Sequence, residues 1–347
     1  MGLKKTQLEI GAEYPEEGED LVVDDMIKRM QVQMTKMYPN PKSLRQVHSK
    51  MHGCVKAEFI VEKNLPADLR IGVFKEAKSY CTWLRLSNGK TEIRPDRDKD
   101  TRGFALKLMD VPGEKLLQNQ KDAKTQDFIL ASGPTFFTKN IKDFNGLLKA
   151  STKGKLWGLL YLLTDWPLLF RVFFKIFIKC PHALGIPYYS TTPYRFGDSS
   201  RAVKYRVSHS SGKLEYMDNK DPDYLRKSLV ATLAKNEILF DFCIQFQTDA
   251  DEMPIENALV EWKSPFIKVA TIRIPSQVFD TKEQNEFGEN LTCNIWHCLP
   301  EHTPLGGFNR ARRKMYDAMY KFRHEKNQVL LSEPQVTTTF FDNLKPA

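Results

Sequence analysis

One stretch of the chain places a tyrosine among arginines at a spacing that suits chemistry. Within residues 304–326, Arg312 precedes Tyr316 by four positions and Arg323 follows it by seven, so a helix sets all three side chains on one face. Alone, such a face reads as a solvated basic surface around a core tyrosine. The sharper reading has Arg312 stabilising a phenolate at Tyr316. A free tyrosine titrates near pH ~10, an adjacent cation moves a neighbouring acid by roughly 1–3 units, and a bound ferric ion can displace the proton outright. Tyrosinate is an axial ligand for haem iron. A second stretch, Arg45-Gln46-Val47-His48-Ser49-Lys50-Met51-His52-Gly53, runs directly into a strand. There His48 can serve as a general base toward a peroxide, and His52 reads as structural.

The elements that must position these groups follow from composition and pattern. The 347 residues are 41% hydrophobic and 27% charged, with 22 Phe and 12 Tyr, which excludes a disordered or low-complexity chain. The net charge of +9 favours anionic partners without naming them, and no motif supports nucleic-acid binding. Six scattered cysteines form no C-x-x-C pair, which argues against a zinc site or a disulfide framework and for a reducing cytosol. No apolar run opens the chain. Residues 1–6 fit a myristoylation pattern, but they read first as a polar start. Residues 1–19 are expected to form an acidic, mobile arm. A helix is predicted over 20–38, its Leu21, Met26, Met30, Met34 and Met37 forming a stripe for core or subunit contact, with Pro39 and Pro41 ending it. Strands are predicted over 54–62, 82–87, 103–109, 127–132, 201–209, 240–248 and 265–274. In one of these, Phe240, Phe242, Ile244 and Phe246 alternate with polar neighbours. A large antiparallel sheet or barrel is the natural result. Residues 140–180 and 305–326 read as helical. Leu156–Cys180 is the most apolar stretch. Interrupted by Asp165 and Pro167, it is a poor membrane span, yet Arg171, Lys175 and Lys179 stripe its second half. It reads equally as a helix at a lipid interface and as a core helix with snorkelling cations.

Together these segments resemble the catalase superfamily, over residues from about 40 to 326. The resemblance rests on Arg45–Lys50, Thr82–Ser87, Thr101-Arg102-Gly103-Phe104-Ala105-Leu106-Lys107, Pro134-Thr135-Phe136-Phe137 and Arg312-x-x-x-Tyr316. Asn294–His297 and Leu299–Gly307 look like the smaller catalase-related branch, which includes peroxidases and allene oxide synthases. What the resemblance implies is an α+β fold, a catalase-like antiparallel β-barrel around haem with flanking helices. An arm and helix (1–39) would precede the barrel and proximal helix (40–330), and a tail (331–347) would follow. The cofactor implied is haem b. Tyr316 resembles the iron ligand, Arg312 the residue that keeps it ionised, and His48 the distal histidine. Arg45, Arg85 and Arg323 match positions that pair with propionates, Phe144 the phenylalanine that stacks on the porphyrin, and Val47 the residue before the distal histidine.

The departure that matters concerns the distal asparagine of catalase, whose place falls on Ala131 or Ser132. Ser132 can donate one hydrogen bond with shorter reach. The expected function is a haem-dependent enzyme acting on organic or fatty-acid hydroperoxides, by peroxidase chemistry or by rearrangement of the substrate. The alternatives are a small catalase dismutating hydrogen peroxide and a non-enzymatic haem- or lipid-binding protein. A cytoplasmic homo-oligomer, dimer or tetramer, is expected, with peripheral membrane contact through 156–180.

Overall fold

The computed structural model describes residues 8–40, 42–164, 178–329, 333–335 and 340. Nine antiparallel strands make one sheet: β1 (Met51–Val61), β2 (Ser79–Asn88), β3 (Arg102–Met109), β4 (Thr125–Ala131), β5 (Tyr188–Tyr189), β6 (Tyr194–Phe196), β7 (Asp198–Ser211), β8 (Ile238–Phe246) and β9 (Phe266–Ile274). Eight of them close a ring in the order β5-β4-β3-β2-β1-β9-β8-β7, because β5 pairs with β7 as well as β4, and β6 adds to β7 outside that ring. Closure removes the open edges that a sheet of this size would otherwise expose. The helices are α1 (Glu19–Met37), α2 (Ile141–Thr152), α3 (Lys155–Thr164), α4 (Tyr224–Leu233), α5 (Lys282–Asn290) and α6 (Gly307–Asn327). An α+β fold built on a closed antiparallel barrel is thus the observed architecture.

The period of two along each strand decides what lies inside. Phe59, Phe128, Tyr205 and Phe242, from four different strands, meet in the barrel interior with ring centroids 5.0–6.1 Å apart. Val55, Leu84, Leu106, Phe240 and Ile272 are fully buried in the same core. The interior is therefore filled by side chains. The expectation that the barrel surrounds a cofactor is corrected on this point: its lumen is closed by aromatic rings, and the large cavity lies on its outer face. β8 follows its predicted alternation, with Asp241 turned outward to pair with Lys268 at 2.8 Å, until a bulge at Phe242/Cys243 shifts the register.

Along α1 the buried stripe is Val23, Met26, Met30 and Met34, whereas Leu21 is 75% exposed and takes no part in it. Residues 8–18 are pinned and do not form the mobile arm expected. Gly11 N–H donates to Gln247 Oε1 at 2.8 Å, and Tyr14 N–H to Glu256 Oε1 at 2.9 Å. A Cβ on Gly11, at φ +76°, would stand 2.2 Å from Ser199 O. Helix α6 starts at Gly306 (φ +86°), whose N–H donates to Glu13, while the Gly307 N–H donates to Glu256. Carboxylates at a helix N-terminus complement its exposed N–H groups and dipole. Arg310 then gathers Glu13, Glu19 and Glu256, tying arm, α1 and α6 together. The α3 helix occupies part of the apolar stretch, but Arg171 and Lys175 of its expected basic stripe lie outside the described residues. Among the described residues no helix is long and apolar enough to cross a membrane. In the expected tail, Glu333 pairs with the buried Lys107 at 2.7 Å, and Phe340 packs on Trp83.

Arg310→Ala would leave three carboxylates facing one another, half-buried, at the start of α6. The expected loss is about 2 kcal/mol, below the cost at a fully buried pair because water screens the site. Urea denaturation of the two proteins checks it.

Candidate active site

A cavity of about 440 Å³ opens between the outer face of β2–β4 and the helices α1, α2 and α6. That size falls within the range of small-molecule and cofactor sites, roughly 300–1,000 Å³. Its barrel side comes from the outward residues Arg85, Ser87, Gly103, Ala105, Ile129 and Ala131, and from His48 just before β1. Its helix side comes from Arg312, Met315, Tyr316, Met319, Tyr320 and Arg323 on α6. Phe136, Phe137 and Phe144 complete an aromatic wall, their rings 4.3–5.6 Å apart.

His48 is held in an unusual backbone state. Its φ is +59°, a region that non-glycine residues rarely adopt and that is worth attention where it occurs in a cavity. The surroundings fix it there. His48 N–H donates to Gly89 O at 3.1 Å, Arg85 Nη2 donates to His48 O at 3.1 Å, and the ring Nδ1 lies 3.1 Å from Ser87 Oγ. Gly103 makes room for the ring: a Cβ there would lie 2.5 Å from His48 Nδ1 and 2.8 Å from Ser87 Oγ. Burial, then the nearby Arg85 and Arg45, push the His48 pKa down to about 4. The imidazole is neutral at physiological pH. In the tautomer that carries its proton on Nδ1, Nε2 is the basic nitrogen. The Gly89 turn that accepts the His48 N–H is itself braced by buried polar groups. Asp100 Oδ2 accepts the Gly89 and Lys90 N–H groups at 3.1 Å, and Arg102, 1% exposed, reaches Asn88 and the Asp96 and Asp98 carbonyls.

On α6, Arg312 lies one turn before Tyr316, and its Nη1 donates at 3.0 Å to both Thr192 Oγ1 and Asn309 Oδ1. Asn309 is fully buried and satisfied, donating through Nδ2 to the Pro193 and Leu305 carbonyls at 2.9 Å. Its amide thereby aims the guanidinium. At one end of the cavity, three arginines converge on the C-terminus of α5. Arg45 donates to the carbonyls of Gly288, Glu289 and Leu291, Arg85 to that of Gly288, and Arg323 to that of Glu289. The helix C-terminal dipole suits cations. The one carboxylate among them is Glu289, 3.4 Å from both Arg45 and Arg85. Burial and repulsion from Arg85 and Arg323 lower the Arg45 pKa. The cluster thus carries more positive charge than Glu289 neutralises.

No family model and no curated protein matches the sequence. Solved structures do. A fungal catalase superposes with TM-score 0.67 at 14% identity, covering 100% of this chain and 74% of that one. Catalase A from Saccharomyces cerevisiae gives TM-score 0.62 at 14% identity, over 100% and 76% of the two chains. A bacterial catalase gives 0.57 at 14% identity, over 92% and 64%. The fold is that of the catalases.

Within this catalase fold, the expected site residues divide into two groups. His48, Val47, Arg45, Arg85, Phe144, Arg312, Tyr316 and Arg323 all line the one cavity. Ser132 does not. Its Oγ accepts the Arg102 N–H at 2.8 Å, and its own N–H donates to Arg102 O at 3.0 Å, closing the end of the β3–β4 pair. The expectation that Ser132 supplies a distal hydrogen bond is therefore corrected, and the neighbouring lining residue is the apolar Ala131. Ser87, Gly103, Asn309, Thr192 and Glu289 were not singled out from sequence as site residues. Ser87 and Gly103 stood inside quoted motifs, but nothing in the sequence brings Thr192 or Glu289 to the arginines that line the cavity. The donor set has the chemistry a haem requires: a phenol oxygen for iron, surplus guanidinium charge for carboxylates and aromatic walls for a flat ring. No protein-only metal centre competes, since no three His, Cys, Asp or Glu side chains cluster suitably among the described residues.

Burial lowers the pKa of His48, His52 and His182 to about 4, and of His297 and His302 to about 3. An unfolded chain binds protons at these sites below about pH 6.5. Stability from these groups is therefore fully present above that pH and is lost progressively as pH falls toward 4. The urea midpoint should drop steeply between pH 6.5 and 4.5. A flat midpoint over that window would contradict neutral burial of these rings.

Proposed function

We propose that the protein is a haem-dependent enzyme acting on organic hydroperoxides, fatty-acid hydroperoxides among them. The observation that carries the reading is the joint placement of His48 on the barrel side and Tyr316 on the helix side of one cavity with an arginine cluster at its end. Tyr316 would ligate the iron, and Arg45, Arg85 and Arg323 would receive the propionates. When bound, the cofactor supplies a Lewis-acidic, redox-active iron able to promote O–O cleavage.

The chain's own residues then do the following. His48, neutral down to about pH 4, takes a proton from a hydroperoxide at Nε2 and can return it to the departing oxygen. Ser87, 3.1 Å from Nδ1, orients the ring. Arg312, aimed by Asn309 and Thr192, presents its guanidinium from the turn of α6 that precedes Tyr316. Phe136, Phe137, Phe144 and Ala131 exclude water and offer no hydrogen bond from their side chains. Hydrogen peroxide has no apolar part to bury against such walls, whereas an alkyl hydroperoxide does. Ala131, in place of the polar residue expected there, supports an organic substrate over dismutation of hydrogen peroxide.

The purified, haemin-loaded protein should show a high-spin ferric spectrum that Tyr316→Phe abolishes. It should turn over fatty-acid or cumene hydroperoxide at least about tenfold faster, in kcat/KM, than hydrogen peroxide. Faster turnover of hydrogen peroxide would assign a small catalase. Haem binding without turnover of either would assign a non-enzymatic haem carrier. Ala131→Asn should raise hydrogen peroxide turnover specifically while leaving the spectrum of the ferric protein unchanged.

A further inference from the structure

We propose that the α2–α3 hairpin docks the protein on an anionic lipid surface. Helix α3 exposes four large apolar side chains: Leu156 at 66%, Trp157 at 55%, Leu160 at 43% and Leu163 at 50%. At 100° per residue these positions span a single stripe about 120° wide. Tyr161, outside that stripe, faces α2, where its hydroxyl donates to Asp143 O at 3.4 Å. A Cβ on Gly146 would lie 2.5 Å from that hydroxyl, so glycine permits the close approach of the two helices. The apolar stripe is therefore the outer face of a helix that already has its packing partner. A helix that exposes Leu and Trp beside lysines is suited to the headgroup–acyl boundary.

Charge identifies the occupant. Residues 139–164 contain five Lys against one Asp, a net +4 out of the chain's +9, with Lys142 and Lys149 pairing with Glu16 and Asp25. Lys153 lies over the Trp157 ring at 5.8 Å, at the edge of the stripe. A two-fold contact between copies would bring the same cationic surface against itself, whereas anionic headgroups neutralise it. The inner face of α2 supplies Phe144 and Leu148 to the cavity. One helix pair thus reaches from the lipid-facing stripe to the site, a short route for an amphipathic hydroperoxide. That delivery role rests on the function proposed above, whereas the docking itself does not.

Flotation of the full chain with phosphatidylcholine vesicles, with and without phosphatidylserine, tests the docking with no dependence on activity. The expected result is co-flotation with the phosphatidylserine vesicles that weakens as salt is raised. Leu156→Ser/Trp157→Ser/Leu160→Ser should reduce the bound fraction at least about tenfold while leaving the melting temperature unchanged, since these side chains are exposed. Lys153→Glu, which removes no apolar contact, should weaken binding to the anionic vesicles alone and decides the matter should the triple variant fold poorly. Absence of flotation by the unaltered chain overturns the proposal, as does flotation of both variants equal to that of the unaltered chain. Light scattering that shows the triple substitution splitting a dimer, with no vesicle binding by the parent, overturns it in favour of a subunit interface.

Discussion

Unneutralised positive charge in a buried place is the constraint around which the site is arranged. Arg45, Arg85 and Arg323 come from the loop before β1, from β2 and from the far end of α6. They meet only because α5 presents its terminal carbonyls to all three. Holding guanidinium groups together out of water is costly unless hydrogen bonds and opposite charge compensate. Main-chain oxygens supply the hydrogen bonds, and Glu289 supplies part of the charge. The remaining imbalance is one that a bound group with carboxylates would complete electrostatically and a neutral one would not.

His48 depends on a second, local constraint. A left-handed backbone at a histidine carries a modest energetic cost. Here the strain persists because the chain on either side has no freedom to relax it. The Gly89 turn is held by Asp100 and the buried Arg102, and the ring sits in a recess that exists only because residue 103 lacks a side chain. The imidazole is thus positioned by rigid strands, and its neutrality follows from the same burial that places it.

Much of this was legible before any coordinates. The alternating residues of β8, the methionine stripe of α1 and the Arg312/Tyr316/Arg323 spacing each encode their environment locally, through periods of 2 or 3.6 residues. The quoted motifs added the order in which strands and proximal helix occur. What stayed hidden depends on contacts between distant segments. Strands β5 and β6 are two and three residues long, too short to carry a periodic signal, yet β5 closes the ring. The helices α4 and α5 were not anticipated, and α5 matters for its carbonyl ends, which side-chain patterns do not report. Ser132 looked chemically apt by type and position, but strand parity and the Arg102 N–H direct it away from the cavity. The acidic arm read as mobile from composition, since its ordering comes from Arg310 almost 300 positions later.

The placement of the cavity outside a solid barrel has a further consequence. On β4, Phe128 belongs to the core while Ile129 and Ala131 face the cavity. Neighbouring residues on one strand therefore answer to separate demands, one for folding and one for ligand. Such a scaffold can drift in what it accepts, one outward side chain at a time, without disturbing the aromatic packing that keeps it folded.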